Sequence, residues 1–322
     1  MDFRARVRAY GFTLVELLVV ISIIGLVLSL MLPAVMSARE ASRATHCKNN
    51  LRQIGVGLAN FESARGRYPG SFAGVSGSPI SPTKPASSYS PSSWIAADLG
   101  GQALANKVET EQTAPPFDPN WTKLDLPAPA VLHCPSDSFA TGRASSYRYC
   151  RGNLPRWPKD PGGVFRHQIG VRAAEITDGL ANTAFASERL VSNPTKGWPD
   201  RRRDMLVFPG GGATPSIGLA CNQANEANQV GPWSSVPSGT SWMSGEWYHN
   251  AYYHLYPPNS AWVDCRKEHS LPMAVTSARS NHPGGVHLLL GDTHVRFVKD
   301  TVQLAIWRNL ATRHGGEPTE GE

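Results

Sequence analysis

Gly11-Phe12-Thr13-Leu14-Val15-Glu16-Leu17-Leu18 opens a stretch that runs on to Leu32 with no ionisable side chain other than Glu16. Arg4, Arg6 and Arg8 precede it and Pro33 follows it. At ~1.5 Å rise per residue, a helix of this length covers about 30 Å, the thickness of a bilayer's hydrocarbon. An ordinary secretory signal has a shorter apolar core, roughly 7–15 residues, followed by a small-residue cleavage site. A plain signal anchor accounts for the length and for the basic flank, which stays cytoplasmic. It leaves Glu16 unexplained, because an ionised carboxylate inside a membrane helix costs on the order of 2.5–3.5 kcal/mol or more. A residue of this kind calls for a partner.

A cut between Gly11 and Phe12 supplies one. The new α-amine at Phe12 lies one helical turn before Glu16 and is able to neutralise it, in the same chain or in a neighbour packed alongside. The string Gly11-Phe12-Thr13-Leu14-Val15-Glu16-Leu17 closely resembles the amino-terminal signal of type IV prepilins and type II secretion pseudopilins. That resemblance implies cleavage after Gly11 by a prepilin peptidase and N-methylation of Phe12. It also implies assembly with other pilin-like subunits, in which Glu16 engages the neighbouring amine. Gly25 and Pro33 fall where pilin helices carry a glycine and a kinking proline.

Outside this stretch the chain is rich in Gly, Pro and Ser with modest charge, the composition of a loop-rich extracytoplasmic domain. Net charge is +6, of which the leader contributes +2, three arginines against Asp2. No basic stripe interleaved with aromatics is present, so no nucleic-acid partner is expected. Arg201-Arg202-Arg203 reads as a solvated turn. The five cysteines (Cys47, Cys134, Cys150, Cys221, Cys265) form no C-x-x-C pair, and sequence alone does not select their pairing. Cys134 and Cys150 enclose a modest loop and are one candidate bridge.

Leu51, Ile54, Leu58 and Phe61 recur at three- and four-residue spacing and mark one face of an amphipathic helix. The expected helix therefore runs from Phe12 to about Ala64, stopped by Gly66 and Pro69-Gly70. Cys47-Lys48-Asn49-Asn50-Leu51-Arg52-Gln53-Ile54-Gly55 is similar to the opening of a large uncharacterised planctomycete family. Its members join a pilin-type helix to a C-terminal domain marked by a histidine, nine residues, then Asp-Gly. The same resemblance continues through Phe117-Asp118-Pro119-Asn120, Cys134-Pro135-Ser136-Asp137, the run from Asp178 to Glu188, and His282 with Gly284, Gly285 and Asp292. Thr293 stands where the family usually has glycine. A β-branched residue disfavours positive φ, so a longer or different turn is expected there.

From the residues themselves, Asn49 and Asn50 suit local side-chain hydrogen bonds, and Trp94 to Val108 a short strand and helix. Asp137 and Ser136 read as a turn satisfying nearby backbone donors. Ser146 to Asn153 alternates as a strand, and Ile176 to Glu188 is a turn feeding another. Asp178, Asn182 and Glu188 could build a calcium site but lack EF-hand spacing, so a turn and a strand-end carboxylate are preferred. His282, His287, Asp292 and His294 are zinc-type residues in no established spacing, with His287 and His294 set to face each other across a hairpin. No metal, cofactor or catalytic constellation is expected. Asp300 is placed as the cap of a final short helix carrying Val302, Ile306 and Leu310. Trp233, Trp242, Trp247, Tyr248, Tyr252, Tyr253, Tyr256 and Trp262 build a small core of their own or, if exposed, a stacking surface.

The expected architecture is α+β. A long N-terminal pilin-like helix, transmembrane in its first half, packs on an antiparallel β-sheet domain with loop-rich insertions. The segments are a leader at 1–11, a transmembrane and assembly helix at 12–32 and its amphipathic continuation at 33–65. An extracytoplasmic domain at 66–313 follows, with a flexible loop at 70–93 and an aromatic-rich insertion at 209–263, and a polar tail at 314–322 ends the chain. The expected placement is single-pass in the inner membrane, the domain on the periplasmic or cell-surface side. The expected role is a pilin- or pseudopilin-like structural or secretion-associated protein. The alternative is a surface binding protein, for a glycan, peptide or solute, that uses the helix only as an anchor.

Overall fold

The computed structural model describes residues 13–70, 89–113, 126–153, 162–165, 170–193, 199–208, 217–228, 231–234, 237–267 and 274–316. The leader, the Gly11-Phe12 cleavage pair, the 117–120 island, the glycine run 210–212, residues 71–88 of the 70–93 loop and the last residues of the tail lie outside them. The chain divides into two compact units, one up to Arg43 and one from Ala44.

In the first unit, helix α1 (Leu14–Arg65) begins on a reciprocal cap. Thr13 N–H and Oγ1–H both donate to Glu16 Oε2, at 2.8 and 2.7 Å, and Glu16 N–H donates back to Thr13 Oγ1 at 3.2 Å. This is a capping box, in which two amides without intrahelical partners are satisfied at once. Glu16 thus has a local role that charge neutralisation alone does not supply. The helix runs on through Pro33, which can donate no amide to the carbonyl four residues earlier. From Leu14 to Met36 its large aliphatic side chains are exposed, and nothing packs on Gly25. By length and composition this helix suffices to cross a membrane.

In the second unit, α1 buries Cys47, Leu51, Ile54, Gly55 and Leu58, the single stripe that 3.6 residues per turn allows. Phe61 is only partly buried and meets Trp94 edge-to-face at 6.4 Å between centroids. Gly66 ends the helix at φ +69, its amide donating to the Glu62 carbonyl at 2.6 Å, as a C-terminal glycine should. The segment expected as strand and helix is three short helices, α2 (Pro91–Trp94), α3 (Ala96–Gly100) and α4 (Gln102–Thr113), with Gly101 at φ +81 separating the last two.

Strands β1 (Tyr147–Cys150), β2 (Ala184–Glu188), β4 (Ala251–Tyr252), β7 (Gly285–Leu290) and β8 (Val295–Lys299) form one sheet in the order β4-β1-β2-β7-β8. A smaller sheet has the order β3-β5-β6, from β3 (Met205–Phe208), β5 (Asp264–Lys267) and β6 (Ala274–Val275). Both are mixed, which corrects the antiparallel expectation: β4 runs parallel to β1, and β3 parallel to β5. Strands β1, β2 and β7 are buried on both faces and do not alternate buried with exposed, whereas the edge strand β8 keeps Arg296, Phe297 and Lys299 exposed. Tyr147, Tyr149, Phe185 and Leu289 join the core that includes the α1 stripe, whereas Cys150, Val286, Leu288 and Leu290 join a second core with Trp307 and Leu310. Trp307 belongs to helix α7 (Leu304–Asn309), whose N-cap is Gln303 rather than Asp300. Asp300 instead accepts from Asn259 Nδ2 at 2.8 Å. Helix α5 (Ile217–Glu226) lies on the smaller sheet and is bonded to it by Cys221–Cys265. Among the clustered aromatics, Trp242, Trp247, Tyr252, Tyr253 and Tyr256 are buried, and Trp262 is the most exposed of the buried-and-exposed set at 36%.

Buried ion pairs connect the parts. Asp264, on β5, takes Arg189 Nη2 at 2.7 Å and Arg279 Nη2 at 3.2 Å, all three side chains being withdrawn from water. Burial pushes the Asp264 carboxyl up, but Arg189 and then Arg279 outweigh it and hold it below its ordinary value. Arg203, expected in a solvated turn, is buried and donates to Asp137 Oδ1 at 2.5 Å. Its tripeptide neighbour Arg202 is exposed, so the run is split between solvent and interior.

Thr293 occupies the β7–β8 turn at φ +70, where glycine is at ease and a β-branched residue is strained. The turn is therefore kept short in spite of the threonine, contrary to the expectation of a different loop. Thr293→Gly should raise stability by about 0.5–1 kcal/mol, the strain released less the extra freedom of glycine in the unfolded chain; a denaturant titration reads this directly.

His254 stacks on the Trp307 indole at 3.5 Å between centroids, and its Nδ1 meets the Trp307 carbonyl. A carbonyl only accepts, so Nδ1 carries the proton and Nε2 is left to accept from Tyr252 Oη–H at 3.1 Å. Burial, against the smaller upward pull of that carbonyl, lowers its pKa to about 3. The unfolded chain takes up this proton near pH 6.5 (about the free-histidine value) and the folded chain only near 3. The stability held by neutral His254 is complete above the unfolded value and is lost as pH falls toward the folded one. His249, also lowered to about 3 and chiefly by burial, acts in the same direction. Melting temperature should fall as pH is lowered below about 6.5, with a shallower fall in His254→Gln.

Candidate functional site

Five of the residues singled out in the sequence, Cys47, Cys134, Glu188, His282 and His287, meet in one place. Tyr147 and Glu188 are directly paired across β1 and β2, and directly opposed residues share a face. Glu188 therefore points to the same side as Tyr147, into the core that holds Cys47. From β7, the His287 backbone N–H donates to Glu188 Oε2 at 2.7 Å, and ring Nδ1 lies 3.2 Å from Oε1. The loop before β7 delivers His282, whose Nε2 is 3.0 Å from the same Oε1 and 3.6 Å from Cys134 Sγ. The two imidazoles stand edge-to-face at 5.1 Å. Cys134, just beyond the single 3-10 turn Ala130–Leu132, is disulfide-bonded to Cys47 on α1. Cys47, Cys134, Glu188 and His282 are all buried, and their ligand atoms lie within 4.8 Å of one another.

Burial by itself would raise the Glu188 pKa. Hydrogen bonds from His282 and then His287, with the Coulombic pull of both rings, outweigh burial and hold the carboxyl below its usual range. A hydrogen-bonded carboxylate is the form in which such a charge is tolerated away from water. The arrangement is not a Cys-His-Glu relay. A relay puts the two ring nitrogens on different partners, whereas here one nitrogen, His282 Nε2, faces both the sulfur and the carboxylate.

Cys134 thus pairs with Cys47, not with Cys150. Alternation along β1 turns Cys150 toward the second core, where it is a free buried thiol pushed up to about 12 by burial. The metal set considered from sequence also separates: His282 and His287 converge on Glu188, whereas Asp292 and His294 are exposed at the β7–β8 turn. Asp292 there caps the turn, accepting from His294 N–H at 2.9 Å. His287 faces Phe297, its partner in the register, and not His294. The calcium grouping does not form either. Asp178 accepts from Gly315 and Gly316 N–H and from Thr312 Oγ1, far from the Glu188 cluster in its bonding.

Of the remaining signature residues, Asn50 reaches the cluster through Tyr147. Asn50 makes long-range rather than local bonds, donating from Nδ2 to the His133 carbonyl at 3.0 Å and to Tyr147 Oη at 3.2 Å. Asn49 is exposed and lines an open cleft with Arg52, Gln53, Val56 and Asp98. Asp137, besides binding Arg203, accepts from Val191 N–H at 2.8 Å. Gly284 sits at φ +81, and a Cβ on Gly285 would come within 2.2 Å of the Val298 carbonyl oxygen, so each position requires glycine. Tyr147, Ser280 and Asn281 were missed from sequence. Ser280 Oγ accepts from His282 N–H at 3.1 Å, and Asn281 Nδ2 donates to the Ser136 carbonyl at 2.7 Å, which ties the histidine loop to the Cys134 turn. One signal was available: Cys47 precedes Leu51 by four residues and so falls on the apolar stripe.

Residues 36–305 match the model of a family described as "Protein of unknown function (DUF1559)", and residues 6–32 match the prokaryotic N-terminal methylation motif. The chain is similar to type II secretion system core protein G of Pseudomonas aeruginosa, at 30% identity over 84 residues. That match covers 26% of the chain and 57% of the relative. No solved structure matches.

The Cys47–Cys134 bridge closes a loop with a sequence separation of 87. By loop-closure entropy it contributes about 4.6 kcal/mol, within a usual span of 2–5. Cys47→Ala with Cys134→Ala should lower the denaturation midpoint correspondingly, and reductant should lower the melting temperature of the unaltered chain; an unchanged melt in both cases would speak against a structural staple.

Proposed function

The chain belongs to that family of unknown function, and we propose that it acts as a pilin- or pseudopilin-like, membrane-anchored structural or secretion-associated subunit. The observation that carries this reading is the methylation motif at residues 6–32 on a helix whose aliphatic surface is exposed from Leu14 to Met36. Exposed apolar area of this extent calls for lipid or for other apolar helices. In the proposed sequence of events a prepilin peptidase cuts after Gly11, and Phe12 becomes the methylated N-terminus. The domain from Ala44 onward lies on the extracytoplasmic side of the inner membrane. The proposed role is structural rather than enzymatic, a reading that the sulfur–sulfur bond in the cluster supports.

The capping box refines the part given to Glu16. In the chain as it stands, the carboxylate is already engaged by Thr13. After the cut, the Phe12 amine adjoins this cap, and a neighbour's amine meets a carboxylate that is held in place. Burial of five of the clustered aromatics favours a structural subunit over a stacking receptor, since it leaves little aromatic surface to offer a ligand.

Two variants separate cap from charge. Glu16→Gln retains an acceptor for Thr13 and loses the charge, while Glu16→Val loses both. Both chains should insert into the membrane and both should fail to co-assemble. Normal assembly by Glu16→Gln would leave only the cap and sink the neutralisation account. Intact-mass measurement on chain from native membranes should find methylated Phe12 as the first residue, and a retained Met1 would overturn the processing step.

A further inference from the structure

We propose that the Cys47–Cys134 disulfide closes a buried metal site, and that reduction opens it to a soft divalent ion of the zinc type, held by Cys47 Sγ, Cys134 Sγ, His282 Nε2 and Glu188. The four ligand atoms come from α1, the turn after Leu132, the loop before β7 and the end of β2, yet all lie within 4.8 Å of one another. Two thiolates, an imidazole and a carboxylate are a donor set that zinc accepts. With bonds of about 2.0–2.3 Å, a tetrahedral zinc site has ligand–ligand edges of about 3.3–3.8 Å. The distances of 3.0 Å from His282 Nε2 to Glu188 Oε1 and 3.6 Å to Cys134 Sγ are near that scale. The sulfurs must separate, and breaking their bond allows it.

The convergence of a single nitrogen on both sulfur and carboxylate, which rules out a relay, is what ligation of one central ion requires. The outer support is also in place. Glu188 Oε2 is fixed by the His287 N–H at 2.7 Å, and hydrogen bonds to first ligands orient them. Net charge does not oppose the exchange. With His282 neutral, the oxidised cluster carries the single negative charge of Glu188. Two thiolates, one carboxylate and one divalent cation again leave one negative charge, so the interior meets no new net charge.

The step balances as a thiol–disulfide exchange followed by ligation. A dithiol supplies two electrons and two protons, becomes a disulfide itself, and leaves Cys47 and Cys134 as thiols. The ion then binds their sulfurs and His282 Nε2, whose proton moves to Nδ1 as the ring changes tautomer, and the two thiol protons pass to solvent.

The test uses the full chain in detergent, reduced with a phosphine and titrated with Co2+ and then Zn2+. The reduced chain should take one tightly held Co2+, with tetrahedral visible absorption and a sulfur-to-cobalt charge-transfer band, both removed by Zn2+. The oxidised chain should show neither. Cys221→Ser with Cys265→Ser should keep the signal, while Cys134→Ser should lose the charge-transfer intensity. His282→Gln should weaken binding at least about tenfold, a change of the size that even outer partners of metal ligands produce. Near-ultraviolet circular dichroism reports whether each chain remains folded. The proposal is overturned if the reduced chain binds no stoichiometric ion, or if the signal follows Cys221 and Cys265. It is also overturned if reduction abolishes tertiary structure and one equivalent of Zn2+ does not restore it.

Discussion

A carboxylate sealed from water has to be met by donors on several sides, and Glu188 is met from two directions by the same β7 segment. His287 offers its backbone N–H and its ring, and His282 reaches back from the preceding loop. That requirement fixes the register of β2 against β7 and the path of the loop 280–285. Because Tyr147 is paired with Glu188 and also takes Asn50, the same contacts reach α1. Losing any one donor would leave a buried charge short of partners, which costs more than an absent hydrogen bond in solvent.

The remaining architecture follows from where α1 finds cover. Its stripe from Cys47 to Leu58 lies on the sheet face that carries Tyr147, Tyr149 and Leu289. Approach there is close enough that a Cβ on Gly55 would come within 2.8 Å of Leu289 Cδ1. The opposite sheet face is closed by Trp307, whose ring N–H donates to the Tyr256 carbonyl at 2.8 Å. The smaller sheet attaches through the Asp264 ion pairs with Arg189 and Arg279. Such buried pairs are weak sources of net stability but poor tolerators of misregistry, so they act to fix where the sheets sit.

Much of this was legible in the chain itself. The apolar run, the stripe Leu51-Ile54-Leu58, the glycine stop at Gly66 and the hairpin around Asp292 all follow from local periodicity and turn chemistry. What sequence did not disclose was non-local. Parallel pairing of β4 with β1, the destination of Arg203, and the meeting of Cys47 with Cys134 depend on residues far apart in the chain. The strand at Tyr147–Cys150 was recognised, but burial on both faces is a tertiary fact. Thr293 shows the converse: local preference argues for another turn, yet the short one is kept where Thr293 lies close against Gly55. The Thr13–Glu16 cap is legible in its T-x-x-E spacing.

The cysteine order along the chain has a consequence for biogenesis. Synthesis runs from the amino terminus, so Cys47 is finished long before its mate, 87 positions on, exists. Cys150 then follows Cys134 closely and is the nearer competitor. What separates right from wrong partner is the pleat of β1, which turns Cys150 to the far face of the sheet. Correct pairing is therefore favoured when the sheet forms before oxidation. A chain oxidised before β1 has taken its place can lock the wrong thiols together, whereas one that pleats first has only the correct neighbour within reach.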